Sequence, residues 1–425
     1  MEPSAIVIGA VIEALFSKAM DVGWDALRHD VNVGSLVYNK DNTFTKLTGI
    51  FRRLRKNEKF DRLETRNEQL ARFYTLYVNE PGKMALGNRI RVGYAVESWY
   101  VAALAEHTDP LQLSASEGLE YDVDETLGIP GYQSIARQYR ELKDPGKASP
   151  YKGTTVRVSD WDGDKRFTLS RSYYWDQYVT NQKEIVDEPL ERIVAGSQSH
   201  MPPRLLKSSL RELNMRDGRL LSFRDSPLAN TIGIASTIVT SDGYLVLPKR
   251  NQQVHYQSGY EGCSTSGVLE WTGGLTSDFM NELIQQMKSK EGPQELLLDP
   301  KRSVAHPLAF AREFERAGKP QFFFHIWTDQ RLSEFETRWR GSRYPQEEYD
   351  SIRWIELYEP DTLRDPERAI DQATERLVAM LSMNSAISLR DGHLVVLSEE
   401  ARANLFCLAV YLKAHGPAAF PRHWI

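Results

Sequence analysis

The sequence predicts a mixed α/β (α+β) chain, and three observations carry that expectation. Two β-rich runs, Thr231–Thr240 and Tyr244–Lys249, are joined through Ser241-Asp242-Gly243, a strong hairpin signal. Behind them, the run Ser277–Lys290 repeats apolar residues at Phe279, Leu283 and Met287, spaced i, i+4 and i+8, which is one apolar face of a helix. Further on, Gly318-Lys319-Pro320 reads as a turn into Gln321–Trp327 (QFFFHIW), a run with the composition of a buried strand.

The composition supports a folded chain. At 425 residues, 41% hydrophobic and 26% charged, the chain is long enough for two or three globular domains. The net charge of −5, from 53 basic and 58 acidic residues, provides no global field that would draw it onto nucleic acid or an anionic membrane. Two cysteines, Cys263 and Cys407, make no disulfide framework and fit a reducing cytoplasm. Cys263 reads either as a buried, idle thiol or as a nucleophile in the loop before the Ser277–Lys290 run. The nine histidines are scattered without metal-type spacing.

In chain order, Ala5–Phe16 is the most apolar run, but Glu13 interrupts it short of the roughly 18 uncharged residues that span a bilayer. It reads as a core or partner-facing helix. Between Lys46 and Arg66, mixed charges at helical spacing predict a solvated face, with the Arg52–Lys56 knot as the sharper phosphate-binding alternative. Ile90–Glu106 reads as strand or helix, and Gln133–Leu142 as a short helix. Lys143–Lys152, with two prolines and a glycine, predicts a boundary. Thr154–Val158 and Arg166–Ser170 read as a hairpin around Asp160–Asp164, followed by the aromatic cluster Tyr173, Tyr174, Trp175 and Tyr178, a core plug or a base-stacking platform. Ala311–Gly318 reads as a surface helix, Pro366–Ser385 as an amphipathic helix, His393–Leu397 as a strand and Glu399–Ala414 as a last helix. These elements divide the chain into an N-terminal helical or α+β region (1–145), a connecting β-rich region (151–228) and a C-terminal domain (229–425).

The chemistry concentrates in Gly262–Gly292. Gly267, Gly273, Asn281, Glu282, Leu283, Gln285 and Gln286 fall without a gap on the frame G-x5-E-x7-R-E-U-x-E-E. On that spacing the stretch resembles a degenerate Nudix box, with Gly267, Glu282 and Leu283 matching in identity. The resemblance implies a Nudix-like α/β/α sandwich over about 230–329, with an additional N-terminal region. It also implies a helix whose carboxylates hold Mg2+ or Mn2+ for hydrolysis of a diphosphate, and a basic strand end, here Lys249-Arg250, facing that diphosphate. Residues 282, 285 and 286 share a helical face, but Gln285 and Gln286 remove two negative charges that a hard cation would want. A displaced metal site could use Asp278, Glu282 and Glu270, with Glu282 as the catalytic carboxylate. Near the start of the helix, Asp278 reads first as an N-cap and only second as a ligand.

The expected function is therefore a catalytically degenerate Nudix-like protein that binds a nucleotide, a nucleoside-diphosphate derivative or a protein partner. Lys249, Arg250, Gly267, Gln285 and Gln286 are its ligand-binding candidates. The alternative is an active Mg-dependent hydrolase of a nucleoside-diphosphate-linked substrate. No cofactor is expected beyond Mg2+ in that second case. A nucleotide-like small molecule is the expected partner, with a protein partner or a homo-oligomer beside it, and nucleic acid and membrane are not expected.

Overall fold

The computed structural model describes residues 86, 90, 92–100, 112–143, 153–194, 202–251, 259–273, 278–342, 349–382, 387–388 and 394–424. The expectations for Ala5–Phe16, for Lys46–Arg66 and for most of the linker fall outside these residues. The chain divides into two compact units, Met1–Glu68 with Met383–Val396, and Gln69–Ser382 with Leu397–Ile425.

The second unit is built on a mixed sheet. Its strands are β1 (Tyr94–Trp99), β7 (Gly233–Thr240), β8 (Tyr244–Arg250), β9 (Thr265–Val268), β10 (Ser303–Glu313), β11 (Lys319–Thr328) and β12 (Tyr349–Glu356). They run in the order β1-β10-β11-β7-β8-β12, with β9 also paired to β7. Only β11 and β7 pair in parallel within this sheet, Gln321 opposite Gly233 and Thr328 opposite Thr240, while the other pairs are antiparallel. Every residue of β7 and β11 is buried, as two-sided burial of central strands demands. The expected hairpin forms between β7 and β8, with Gly243 at φ 87° donating its N–H to the Thr240 carbonyl at 3.0 Å.

A smaller sheet, β2 (Ser114–Glu117), β4 (Arg166–Tyr173) and β3 (Thr154–Trp161), lies beside the first, and β5 (Met215–Arg216) pairs antiparallel with β6 (Arg219–Leu220). Strand β3 joins the main sheet directly: Val156 N–H donates to the Leu269 carbonyl and Ile232 N–H to the Val156 carbonyl, both at 2.9 Å. Short helices surround a second core: α1 (Val123–Leu127), α2 (Tyr132–Lys143), α3 (Tyr174–Thr180), α4 (Lys183–Val186), α5 (Leu190–Ile193), α6 (Pro203–Lys207) and α7 (Leu210–Leu213). The aromatic cluster plugs this core: Tyr178 is buried, and Trp175 meets it edge-on at 5.4 Å. Arg137 and Arg140 cover the Trp175 and Tyr178 rings, each at 3.7 Å.

Helices cover the main sheet: α8 (Phe279–Gln286) and α9 (Gly292–Leu296), then α10 (Leu332–Gly341), α11 (Pro366–Ser382) and α12 (Glu399–His415). Phe279, Leu283 and Met287 pack with Phe310, Phe322, Phe324 and Ile326 in one hydrophobic core. Strand alternation sends Phe322, Phe324 and Ile326 to this face of β11 and leaves Lys319, Gln321, Phe323 and His325 for the other. The surface helix expected over Ala311–Gly318 is corrected. Residues 311–313 complete β10, and a turn with Ala317 at φ 50° and Gly318 at φ 89° leads into β11. Pairing of Ala311, Arg312 and Glu313 with Gln321, Pro320 and Lys319 outweighs the helical propensity of the segment. In the first unit, the described residues include an antiparallel pair, β13 (Ile387–Ser388) and β14 (Leu394–Val395).

Candidate functional site

Strand β9 sits on β7 with Ser266 opposite Ala235 and Gly267 opposite Ile234. The chain turns at Gly273, φ 82°, and re-enters at Asp278. The Asp278 carboxylate accepts the Asn281 N–H at 3.1 Å and so caps α8. From Phe279 the helical backbone runs to Leu296, but not uniformly, because Met287–Glu291 form a π turn between α8 and α9. Pro293, just beyond, has no N–H to give to the preceding turn. A π turn holds one residue more than an α turn, so it rephases the face that follows.

That rephasing decides which side chains meet β9. Gln286, Glu291 and Glu295, at i, i+5 and i+9, address the strand in order. Gln286 donates from Nε2 to the Val268 carbonyl at 2.9 Å and to Glu291 Oε1 at 3.1 Å, and its Oε1 accepts the Glu270 N–H at 3.2 Å. Glu291 lies against Gly267 so closely that a Cβ there would stand 2.5 Å from its carboxyl carbon. Glu295 Oε2 accepts the Ser266 N–H at 2.9 Å and the Tyr349 hydroxyl at 2.8 Å. Glu291, Glu295 and Tyr349 are buried.

The expected site residues are distributed differently. Gln285 is exposed and accepts a hydrogen bond from the Ser289 hydroxyl at 3.3 Å, so it does not converge with Gln286. Glu282 is half-buried in the first turn of α8. Glu270 pairs with Lys290 at 2.5 Å. Lys249 and Arg250 end β8 half-buried, and Arg250 Nη1 donates to the Ser266 hydroxyl at 3.4 Å, which places it on β9. Cys263 is buried, its thiol pushed up by burial, with Asn404 Nδ2 3.9 Å from its sulfur.

Asp278, Glu282 and Glu270 are not brought together. Among the described residues no group of three or more His, Cys, Asp or Glu side chains is placed to hold a metal ion. Asp278 is occupied as a cap and Glu270 by Lys290. The two carboxylates and the amide around β9 are engaged with backbone, amide and hydroxyl donors. Sequence reasoning missed Glu291, Glu295 and Tyr349. A signal for the first two existed, since Lys290-Glu291 and Glu295 are a basic–acidic pair followed one turn later by a second acid.

A separate acidic cleft of about 390 Å³ is lined by Glu120, Asp122, Asp124 and Asp176, together with Tyr121, Val123, Gln133 and Tyr173. Its carboxylates serve the backbone. Asp122 accepts the Glu125 N–H, Asp124 those of Gly131 and Gln133, and Asp176 that of Tyr173. Burial raises the Asp176 carboxyl to about 6.

The chain matches no protein-family model and no curated protein. Among solved structures it is similar to DR0079 from Deinococcus radiodurans, at 12% identity over 42% of this chain and 82% of that one, with a TM-score of 0.26, a likeness too low to carry fold or function across.

Proposed function

We propose that this chain is a degenerate Nudix-like protein that binds a nucleotide, a nucleoside-diphosphate derivative or a protein partner without cleaving it. The observation that carries the reading is Gln286. Its amide ties α8 to β9 through Val268, Glu270 and Glu291, at a box position where a hydrolase would hold its cation with a carboxylate. Arg250, hydrogen-bonded to Ser266 beside Gly267, supplies the cationic end that an anionic ligand needs.

One observation favours the second reading, an active Mg-dependent hydrolase. Lys290, Glu291 and Glu295 keep a basic-Glu-x3-Glu spacing of the box, with lysine for arginine and Gln294 for the other glutamate, in a frame displaced along the helix and with both carboxylates buried against β9.

A panel of nucleoside-diphosphate sugars, dinucleotides and capped nucleotides, with Mg2+ or Mn2+, separates the two when thermal shift and phosphate release are read together. Binding without turnover is the expected result. Metal-dependent turnover abolished by Glu291→Gln or Glu295→Gln would establish hydrolysis in the displaced frame, and its loss on Glu282→Gln would establish the undisplaced one. Neither shift nor turnover across the panel would leave the protein-partner role.

A further inference from the structure

On the face of the main sheet away from α8, β11 presents Lys319 and Gln321, two residues apart and therefore on the same side. Both are buried, Lys319 to 2% exposure and Gln321 completely. They fit because β7 has no side chain opposite them. A Cβ on Gly233 would stand 2.3 Å from Lys319 Nζ and 1.9 Å from Gln321 Oε1. The amine donates to Gln321 Oε1 at 3.2 Å, and Gln321 Nε2 finds no partner among the described residues.

The charged groups facing this amine are Arg316 and Glu313 at the β10–β11 turn and Glu400 in the first turn of α12. Arg316 and Glu313 pair with each other at 3.2 Å. Glu400 is itself buried, and it faces Arg316, Glu313, Lys319 and Arg250. An ammonium sealed from water, with one neutral amide as its direct partner, loses more solvation than a neutral amine does.

We propose that Lys319 is a proton-linked latch: the charge state of its buried amine, set between Gly233, Gln321 and Glu400, determines how firmly the first turns of α12 are seated on the sheet. The electrostatics agree with the geometry. Burial lowers the Lys319 amine to about 7, and burial likewise raises the Glu400 carboxyl. The unfolded chain keeps its lysine proton up to about 10.5, so from about 7 to 10.5 the unfolded state binds more protons and stability rises with pH; below about 7 this contribution is flat.

The test compares the full-length wild-type protein with Lys319→Met by thermal unfolding from pH 6 to pH 10, alongside hydrogen exchange of residues 399–412 corrected for intrinsic rates. The wild type is expected to gain Tm and α12 protection as pH rises above 7, and Lys319→Met to show neither gain. Parallel profiles in the two proteins would overturn the latch. If Lys319→Met does not fold, Glu400→Gln decides. Removing the facing carboxylate should move the wild-type transition to lower pH, and an unmoved transition would equally overturn the proposal.

Discussion

Gly267 is a glycine because of what stands in front of it, not because of its backbone. Its side-chain space is filled by the Glu291 carboxylate, whose oxygens would lie 2.7 and 2.8 Å from any added Cβ. Gly267→Ala should therefore cost about 1–3 kcal/mol, the usual penalty for overpacking, measured as a lower midpoint of urea unfolding. Glu291→Gln in the same background should not restore it, because the clash is steric. Leu283 is the opposite case: fully buried among the phenylalanines of β10 and β11, it leaves a cavity when shortened. Leu283→Ala should lose about 2–5 kcal/mol in the same measurement.

The helical segment behind β9 turns on its π turn. An extra residue between Gln286 and Glu291 lets Gln286, Glu291 and Glu295 share the face toward β9, and exposed Ser289 lies within that turn. Deleting Ser289 should convert the turn to α and leave both flanks in register, with stability within about 0.5 kcal/mol of wild type. A loss several times larger would mean that the sheet, rather than the inserted residue, imposes the wide turn. The apolar face Phe279, Leu283, Met287 was legible from spacing alone, as was the cap at Asp278. The polar face was not, because α-helical periodicity carried past residue 286 assigns positions 291 and 295 to the wrong side.

Across the molecule, the β10–β11 turn is held by side chains from the helical layer. Asn181 Nδ2 donates to the Arg316 carbonyl at 3.0 Å, Asn214 Nδ2 to Ala317 at 2.7 Å and Arg211 Nη2 to Glu315 at 2.9 Å. Asn214→Ala leaves a buried carbonyl bare and should cost about 1–3 kcal/mol by chemical denaturation. On the sheet face toward α12, His306 and His325 are cross-strand partners. Burial holds the His306 imidazole down to about 4 and pushes His325 well below its ordinary range. The unfolded chain takes up these protons near 6.5, so stability present above that pH is lost as pH falls toward about 4. Urea midpoints should drop between pH 7.5 and 4.5, and His306→Gln should drop less.

By itself the sequence determined the α/β class, the β7–β8 hairpin, the buried β11 run and the apolar face of α8, because these depend on local periodicity and turn chemistry. Among the described residues no helix is long and apolar enough to cross a membrane. Only tertiary structure decided that residues 311–313 are strand, that Gln285 and Gln286 part company, and that Glu291 and Glu295 face β9. Each of those outcomes rests on a contact between segments far apart in the chain. A π turn and a glycine's missing side chain are not visible to any count of residue spacing.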